Sequence, residues 1–249
     1  MYIGALNAEG EALGCDHPCF GCPVRDHAIC NALANPDLAV FRRSGSKKML
    51  ASGETLCWQG DAATHVFTLT RGVLRLSKLL SDGRRQVAGF AFPGDFLGVT
   101  MEDEHPFTAE AVGEAELCQF THARFDAFVE SHPELERRLF AAATRELSAT
   151  RDQLMLLGRK TAAERLASFI LQMAGRTAQT AGEPMQARLP MSRMDIADYL
   201  GLRIETVSRE LSALKSGRLI RMMGVHELHV VAPERLTELA AGCAAHEMT

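Results

Sequence analysis

The sequence predicts an α+β protein: an N-terminal β-roll of the jelly-roll kind, a long helix, and a C-terminal winged helix-turn-helix. Three observations predict it. Between residues 47 and 120, short apolar segments are cut by turn signals at Gly53, Gly60, Gly72, Asp82-Gly83 and Pro93-Gly94; short strands at such spacing build sandwiches and barrels. From His122 the apolar period changes to steps of three and four, which is helical. Further on, MDIADYLGLRIETVSREL puts a small residue and a glycine where two helices joined by a tight turn require them.

Residues 1–35 read as an irregular, cysteine-rich segment, broken by Pro18 and Pro23. Cys15, Cys19, Cys22 and Cys30 crowd into CDHPCFGCPVRDHAIC, and Cys118 stands far along the chain in AELCQF. Clustered thiolates bind soft metal or an iron–sulfur cluster, which takes four of them. His17 and His27 offer another solution, a zinc site completed with the same thiols. Cys57, in TLCWQG, reads as a small buried hydrophobe, and Cys243 has no partner in view.

Residues 36–121 form the roll, with strands in THVFTLT, GVLRLSKLL and QVAGFAF, and Asp82-Gly83 a strong hairpin signal. Residues 122–158 form the helical part, with a helix start at Pro133. Leu139, Ala143, Leu147, Thr150, Leu154 and Leu157 make an a/d-like seam over about three heptads. Such a seam packs either on its own domain or on a second copy. It continues past the β-rich part, which favours a homodimer and makes this the dimerisation helix.

Residues 159–249 complete the chain. A helix in TAAERLASFILQMAGRTAQ leads through a polar loop, TAGEPMQARLP, to the first helix of the motif at 194–200. Gly201 occupies the turn, where a positive φ is tolerated. The second helix spans 204–216, and Ile196, Leu200, Leu202, Val207 and Leu211 supply the apolar contacts. Glu205, Ser208 and Arg209 share one exposed face. Arg209 can donate twice to guanine O6/N7, Glu205 can accept from cytosine N4, and Ser208 can reach a base edge or a phosphate. An ordinary amphipathic helix would also carry a Glu–Arg surface pair, but the Ala/Gly/apolar spacing favours a reader of double-stranded DNA. RLIRMMGVHELHVVAP then reads as two short strands around Gly224, a wing.

Composition limits the alternatives. Seven cysteines in a chain without a signal-peptide pattern argue against a disulfide framework and for a cytoplasmic protein. No apolar run approaches the ~20 residues of a membrane span. The net charge is −4, yet residues 203–221 hold five basic and two acidic side chains, an excess that suits a phosphate backbone. An enzyme on a cupin-like roll would need paired metal ligands on the strands, and residues 47–120 offer only His65 and His105 among histidines. No nucleophile, base and orienter arrangement is visible, so the chain is not expected to be an enzyme. A metal-type sensor at one end and a DNA reader at the other imply a redox-responsive regulator of transcription.

These residues carry a family resemblance over nearly the whole length. The chain resembles FNR-type members of the CRP/FNR transcription-regulator family through its N-terminal cysteines, PGDFLG at 93–98, AERLASFI at 163–170, and E-T-V-S-R at 205–209. The resemblance implies a cyclic-nucleotide-binding-like roll and a [4Fe-4S] cluster on three N-terminal cysteines and one central cysteine. The C-x2-C-x7-C of Cys19, Cys22 and Cys30 resembles a variant of the family's pattern, which implies these three as ligands, with Cys118 as the central one and Cys15 as an alternate. It further implies a homodimer that works with RNA polymerase and reads TTGAT-N4-ATCAA through Glu205, Ser208 and Arg209. In the cAMP-binding branch a Glu follows the GDFIG-like turn and an Arg-Ser pair binds the cyclic phosphate. Here Val99 and Phe107-Thr108 stand in those places, and a buried phosphate without Arg lacks its charge partner, so no cAMP binding is expected. An acidic residue on the family's dimer helix keeps the cluster-free form monomeric. Its place here is taken by Thr150, with Asp152 nearby, so some dimer is expected without a cluster. The alternative function is a zinc-stabilised or thiol-redox regulator of the same family.

Overall fold

Glycine turns and strand alternation shape the first half of the chain. In the computed structural model, residues 19, 21–98, 103–177 and 185–242 are described. Cys15, His17, Val99 and Cys243 lie outside these residues, as does most of the segment 1–35. The chain divides into two units: Met1–Arg84 with Ala88–Leu147, and Arg85–Val87 with Ser148–Thr249. This division falls inside the long helix, where the sequence places the boundary at its end.

In the first unit a 3₁₀ turn, Ile29–Ala32, leads into α1, Asn35–Arg43. The sequence reading leaves α1 unassigned, although Pro36 in its first turn, Asp37, and the Leu38–Phe41 spacing are helix signals. Eight strands follow: β1 Gly45–Leu50, β2 Thr55–Cys57, β3 His65–Arg71, β4 Leu74–Leu79, β5 Arg85–Ala91, β6 Phe96–Leu97, β7 Thr108–Ala111 and β8 Ala115–Thr121. They form two four-stranded sheets, ordered β1-β8-β3-β6 and β2-β7-β4-β5. At Gly72, φ is 86°, and a Cβ there would collide with the backbone of Glu114 and Ala115. Only glycine lets the β3–β4 turn pass so close.

The sheet containing β8 is covered on both faces, because its alternating side chains feed two cores. Leu50, Phe67, Leu69, Leu74, Ala111, Ala115 and Leu117 fill the inside of the roll. Ile29, Leu33, Leu38, Phe41, Val66, Phe120, Phe125 and Leu135 build a second cluster. Phe41 stacks on Phe120 with ring centres 4.2 Å apart. That second cluster gathers the cysteine segment, α1, β3, β8, the helix α2 (His122–Glu130) and the start of α3 (Pro133–Arg159). The break between α2 and α3 lies at Ser131-His132, where the Ser131 hydroxyl donates to the Phe128 carbonyl at 3.0 Å. Helix α3 has 27 residues, a length of ~40 Å at 1.5 Å per residue.

The second unit holds α4 (Ala162–Thr177), β9 (Gln186–Arg188), α5 (Arg193–Leu200), α6 (Ile204–Ser216), β10 (Ile220–Met222), β11 (Glu227–Val230) and α7 (Pro233–Ala241). The wing is a three-stranded sheet, ordered β10-β11-β9. Its third strand, β9, corrects the polar loop read from sequence: Ala187 is buried and pairs with Leu228. Helix α7 follows the wing, where the sequence reading assigns no element; Pro233 starts it and Gly242 ends it in the left-handed conformation.

Candidate cluster site and nucleic-acid interface

The cysteine segment is held to the roll by a few apolar anchors and its own turns. Val24, Ala28, Ile29 and Leu33 are buried. The Val24 carbonyl accepts from His27 N and Ala28 N at 3.0 and 2.8 Å, and Arg25 Nη2 donates to Asn35 Oδ1 at 2.7 Å. Cys19 and Cys30 thereby pack on the aromatic cluster. Cys118 reaches the same cluster from mid-β8, where Lys47 and Thr68 are its cross-strand neighbours.

Neighbouring thiols act on Cys19, Cys30 and Cys118. Burial first, then the neighbouring Cys118 and Cys22, push the Cys19 thiol up to about 11. Burial, then Cys22, Cys19 and Cys118, push Cys30 up to about 12. Cys118 is raised chiefly by burial, with Arg42 opposing and Cys22 adding to the rise. All five described cysteines are half-buried and outside any disulfide. Without metal, Cys19, Cys30 and Cys118 are protonated at neutral pH, so a metal centre that takes them as thiolates releases protons. Among the described residues, no three His, Cys, Asp or Glu donors are drawn together tightly enough to grip a single ion. A four-thiolate iron–sulfur cluster fits the donor set, which is all sulfur and gathered from two parts of the chain. His27 is exposed and its Cβ lies over the Gly94 turn. Cys57 stands apart from this set, its thiol near the Phe107 carbonyl at 3.9 Å.

The helical seam is exposed. Residues 143–152 all face solvent, and Leu147 and Leu154 are 52% and 66% exposed. Ala143 and Thr150 share that exposure, and Leu157 is half-buried. Leu139 instead turns partly into the aromatic cluster. Phe140, which the seam read from sequence omits, is 76% exposed and stands seven residues before Leu147. Phe140, Leu147 and Leu154 thus keep a heptad step that the 3.5-residue period alone did not place.

The DNA-reading motif forms as its sequence dictates. Ser192 caps α5, accepting from Asp195 N at 3.1 Å, while Asp195 Oδ2 accepts from Ser192 N at 3.1 Å. This capping box satisfies two otherwise orphan donors. Gly201 ends α5 with φ 61° and ψ 40°. Ile196, Leu200, Val207 and Leu211 are buried between the helices. Glu205, Ser208 and Arg209 are all exposed, and Arg209 bonds only loosely to Glu210 Oε1, at 3.3 Å. An exposed pair of that kind holds a side chain weakly, so the guanidinium is available to a base edge. A groove of about 270 Å³ beside this face is lined by Arg193, Ser208, Leu211, Ser212, Lys215 and Met222. Arg193, absent from the sequence-based set, adds a second cation to it.

A β-roll, a long helix with an unpartnered apolar face and a winged helix-turn-helix with a polar reading face define a DNA-binding transcription regulator. The comparisons agree. Residues 47–132 match the cyclic nucleotide-binding domain, and residues 164–239 match the Crp-like helix-turn-helix domain. The chain is 43% identical over 226 residues to the nitrogen fixation regulation protein FixK of Bradyrhizobium diazoefficiens, covering 90% of this chain and 94% of that one. It is 34% identical over 228 residues to the transcriptional activator protein FnrL of Cereibacter sphaeroides, covering 90% and 92%. The solved structure of FixK2 from Bradyrhizobium japonicum aligns with a TM-score of 0.72 at 35% identity, over 78% of this chain and 96% of that one. The chain belongs to the CRP/FNR family of transcription regulators. No helix among the described residues is long and apolar enough to cross a membrane.

Proposed function

We propose that this protein is an oxygen-responsive transcription regulator that binds a TTGAT-N4-ATCAA-like palindrome as a homodimer while a [4Fe-4S] cluster on Cys19, Cys22, Cys30 and Cys118 is intact. The observation that carries the reading is that Cys19 and Cys30 of the N-terminal segment and Cys118 of β8 pack against one aromatic cluster, with Cys22 near enough to act on all three. A bound cluster would supply an oxygen-labile, redox-active centre there.

The chain's own residues supply the rest. Leu135 is fully buried in the cluster of side chains on which Cys19, Cys30 and Cys118 pack, and Leu139 packs on it too. Any ordering of the cysteine segment therefore bears on the first turns of α3. Further along that helix, Phe140, Leu147 and Leu154 present the face that a second copy would cover. The segment is thus coupled to association through one helix, a two-state bias of the kind ligand switches use. Thr150 puts no charge on that face, which supports some dimer in the cluster-free form. Arg209, Ser208 and Glu205 would read the half-site, with Lys215 and Arg218 on the backbone. Regulation of transcription from such a site, in keeping with the activator names of FnrL and other relatives, implies contact with RNA polymerase.

Cyclic nucleotide is not the effector in this reading. Phe107 occupies the place of the phosphate-binding Arg, and the Thr108 hydroxyl already accepts from Gln59 N at 3.1 Å.

The test is anaerobic purification followed by iron and sulfide assay and an absorption spectrum before and after air. About four irons per chain, lost in air and absent from Cys118→Ser but not Cys57→Ser, is the expected result. Zinc in place of iron, or normal iron in Cys118→Ser, rejects it.

A further inference from the structure

The thiol seat has a charged border that the reading so far leaves unused. Glu116, Cys118 and Phe120 alternate along β8 and share one face, opposite Met49, Lys47 and Gly45 of β1. Lys47 is thus the direct cross-strand neighbour of Cys118, and its Nζ is 2.6 Å from Glu116 Oε1. Arg42, in the last turn of α1, is half-buried, and its Nη1 donates to the Gly45 carbonyl at 3.1 Å. That bond holds the guanidinium at the head of β1, two residues before Lys47. Gly45 pairs with Phe120, two residues from Cys118 on the same face of β8, so this bond brings the guanidinium to the edge on which that thiol stands.

We propose that Arg42, assisted by Lys47, is the counter-charge of an anionic four-thiolate cluster at this seat, and that Glu116 opposes it, so that the three side chains together set the reduction potential of the centre. The inference rests on the reading of the seat as a [4Fe-4S] site. Four thiolates on a [4Fe-4S]2+ core give a net charge of −2, and one electron taken from an electrode brings it to −3. A fixed cation beside the site favours the more negative state, and a fixed anion disfavours it; net charge and exposure are among the levers that set cluster potentials. Arg42 should matter more than Lys47, because Lys47 is 53% exposed and already paired with Glu116, and exposed charges are screened.

The experiment is mediated electrochemical titration of the anaerobic full-length protein, with iron and sulfide content measured on each sample. Arg42→Gln should lower the reduction equilibrium constant by about tenfold, ~59 mV for a one-electron couple. Lys47→Gln should lower it less, Glu116→Gln should raise it, and Arg42→Lys should stay close to wild type. A merely structural disturbance would not reverse sign between Arg42→Gln and Glu116→Gln. Loss of iron from Arg42→Gln with retention in Arg42→Lys also supports a charge role, whereas loss from both assigns Arg42 a structural role and overturns the proposal. Four irons in every protein with unchanged potentials, or shifts of one sign in both variants, overturn this inference and leave the seat reading intact. A wild-type protein without iron overturns both.

Discussion

Truncating Leu154 to alanine should loosen the dimer while leaving the folded chain untouched. Burying a whole leucine is worth ~1.5–3 kcal/mol. Leu154 is 66% exposed in the single chain, so about two-thirds of that gain, ~1–2 kcal/mol, is realised only on association. Two-fold symmetry doubles the loss to ~2–4 kcal/mol per dimer, a weakening of about 30- to 1000-fold in the dimer Kd. Sedimentation equilibrium on the anaerobic protein reads this directly, and thermal unfolding of the monomer supplies the control. Leu135→Ala is the contrasting variant. Leu135 is fully buried in its own chain, so its truncation should cost the monomer ~2–5 kcal/mol. An unchanged Kd for Leu154→Ala, or a fall in monomer stability like that of Leu135→Ala, would refute the assignment of this face to a second copy.

The remaining expectations concern DNA and pH. Arg209→Ala should lose ~1–3 kcal/mol per half-site on the TTGAT palindrome and little on a site with the guanine changed; equal losses on both, measured by fluorescence anisotropy, would make Arg209 a phosphate contact. Lys215→Ala and Arg218→Ala should weaken all sequences alike and make log K less dependent on log salt, by about one contact per half-site in each variant; a change in base preference would contradict that. Thiols raised from 9.0 to about 11 and about 12 in Cys19 and Cys30 keep their protons in the folded, metal-free protein when the unfolded chain has lost them. Their contribution to stability is therefore present below pH 9 and lost as pH rises through the folded values. Urea unfolding of metal-free protein between pH 8 and 11 should show that decline, shallower in Cys30→Ala; identical slopes would dissociate the thiols from it.

What could be read from sequence depended on how local the cause was. The helix-turn-helix was legible to the residue in its second helix, because the glycine of its turn and the spacing of Ile196, Leu200, Val207 and Leu211 all lie within twenty residues. The roll was legible through its turns, where Gly72 and its like break the strands. β9 was not, since three residues with one buried alanine become a strand only by pairing with β11, about forty residues later. The thiols divide the same way. Cys19, Cys22 and Cys30 stand out as a cluster in the sequence, whereas Cys118 joined them only through the family resemblance, and its place follows from the register that sets it between Lys47 and Thr68. Arg42, Lys47 and Glu116 carried no signal as a group, because only the fold brings the end of α1 and the β1–β8 pair to one edge. The seam fell between these cases. A helix carrying two apolar stripes shows a period, but the period does not say which stripe meets the chain's own core, and so Leu139 was placed outward and Phe140 was missed.

That division of labour on α3 explains how a small segment could govern assembly. Of the described residues before α1, only Val24, Ala28, Ile29 and Leu33 are deeply buried, a modest apolar gain against the entropy of ordering the whole stretch. A segment so thinly anchored sits near the low end of local stability, where a ligand can decide its population. Ligation through Cys19, Cys22, Cys30 and Cys118 would add a cross-link between that stretch and β8, fixing it against Leu135 and Leu139 from one side. The same helix turns present Phe140, and the turns after it present Leu147 and Leu154, all three exposed in the single chain. Leu139 and Phe140 are adjacent in sequence and about 100° apart around the helix, one on the aromatic cluster and the other exposed, so the helix cannot rotate to improve one contact without disturbing the other. The coupling needs no long pathway. It requires only that α3 have its first turns set by the cysteine segment and its exposed stripe read by a second copy.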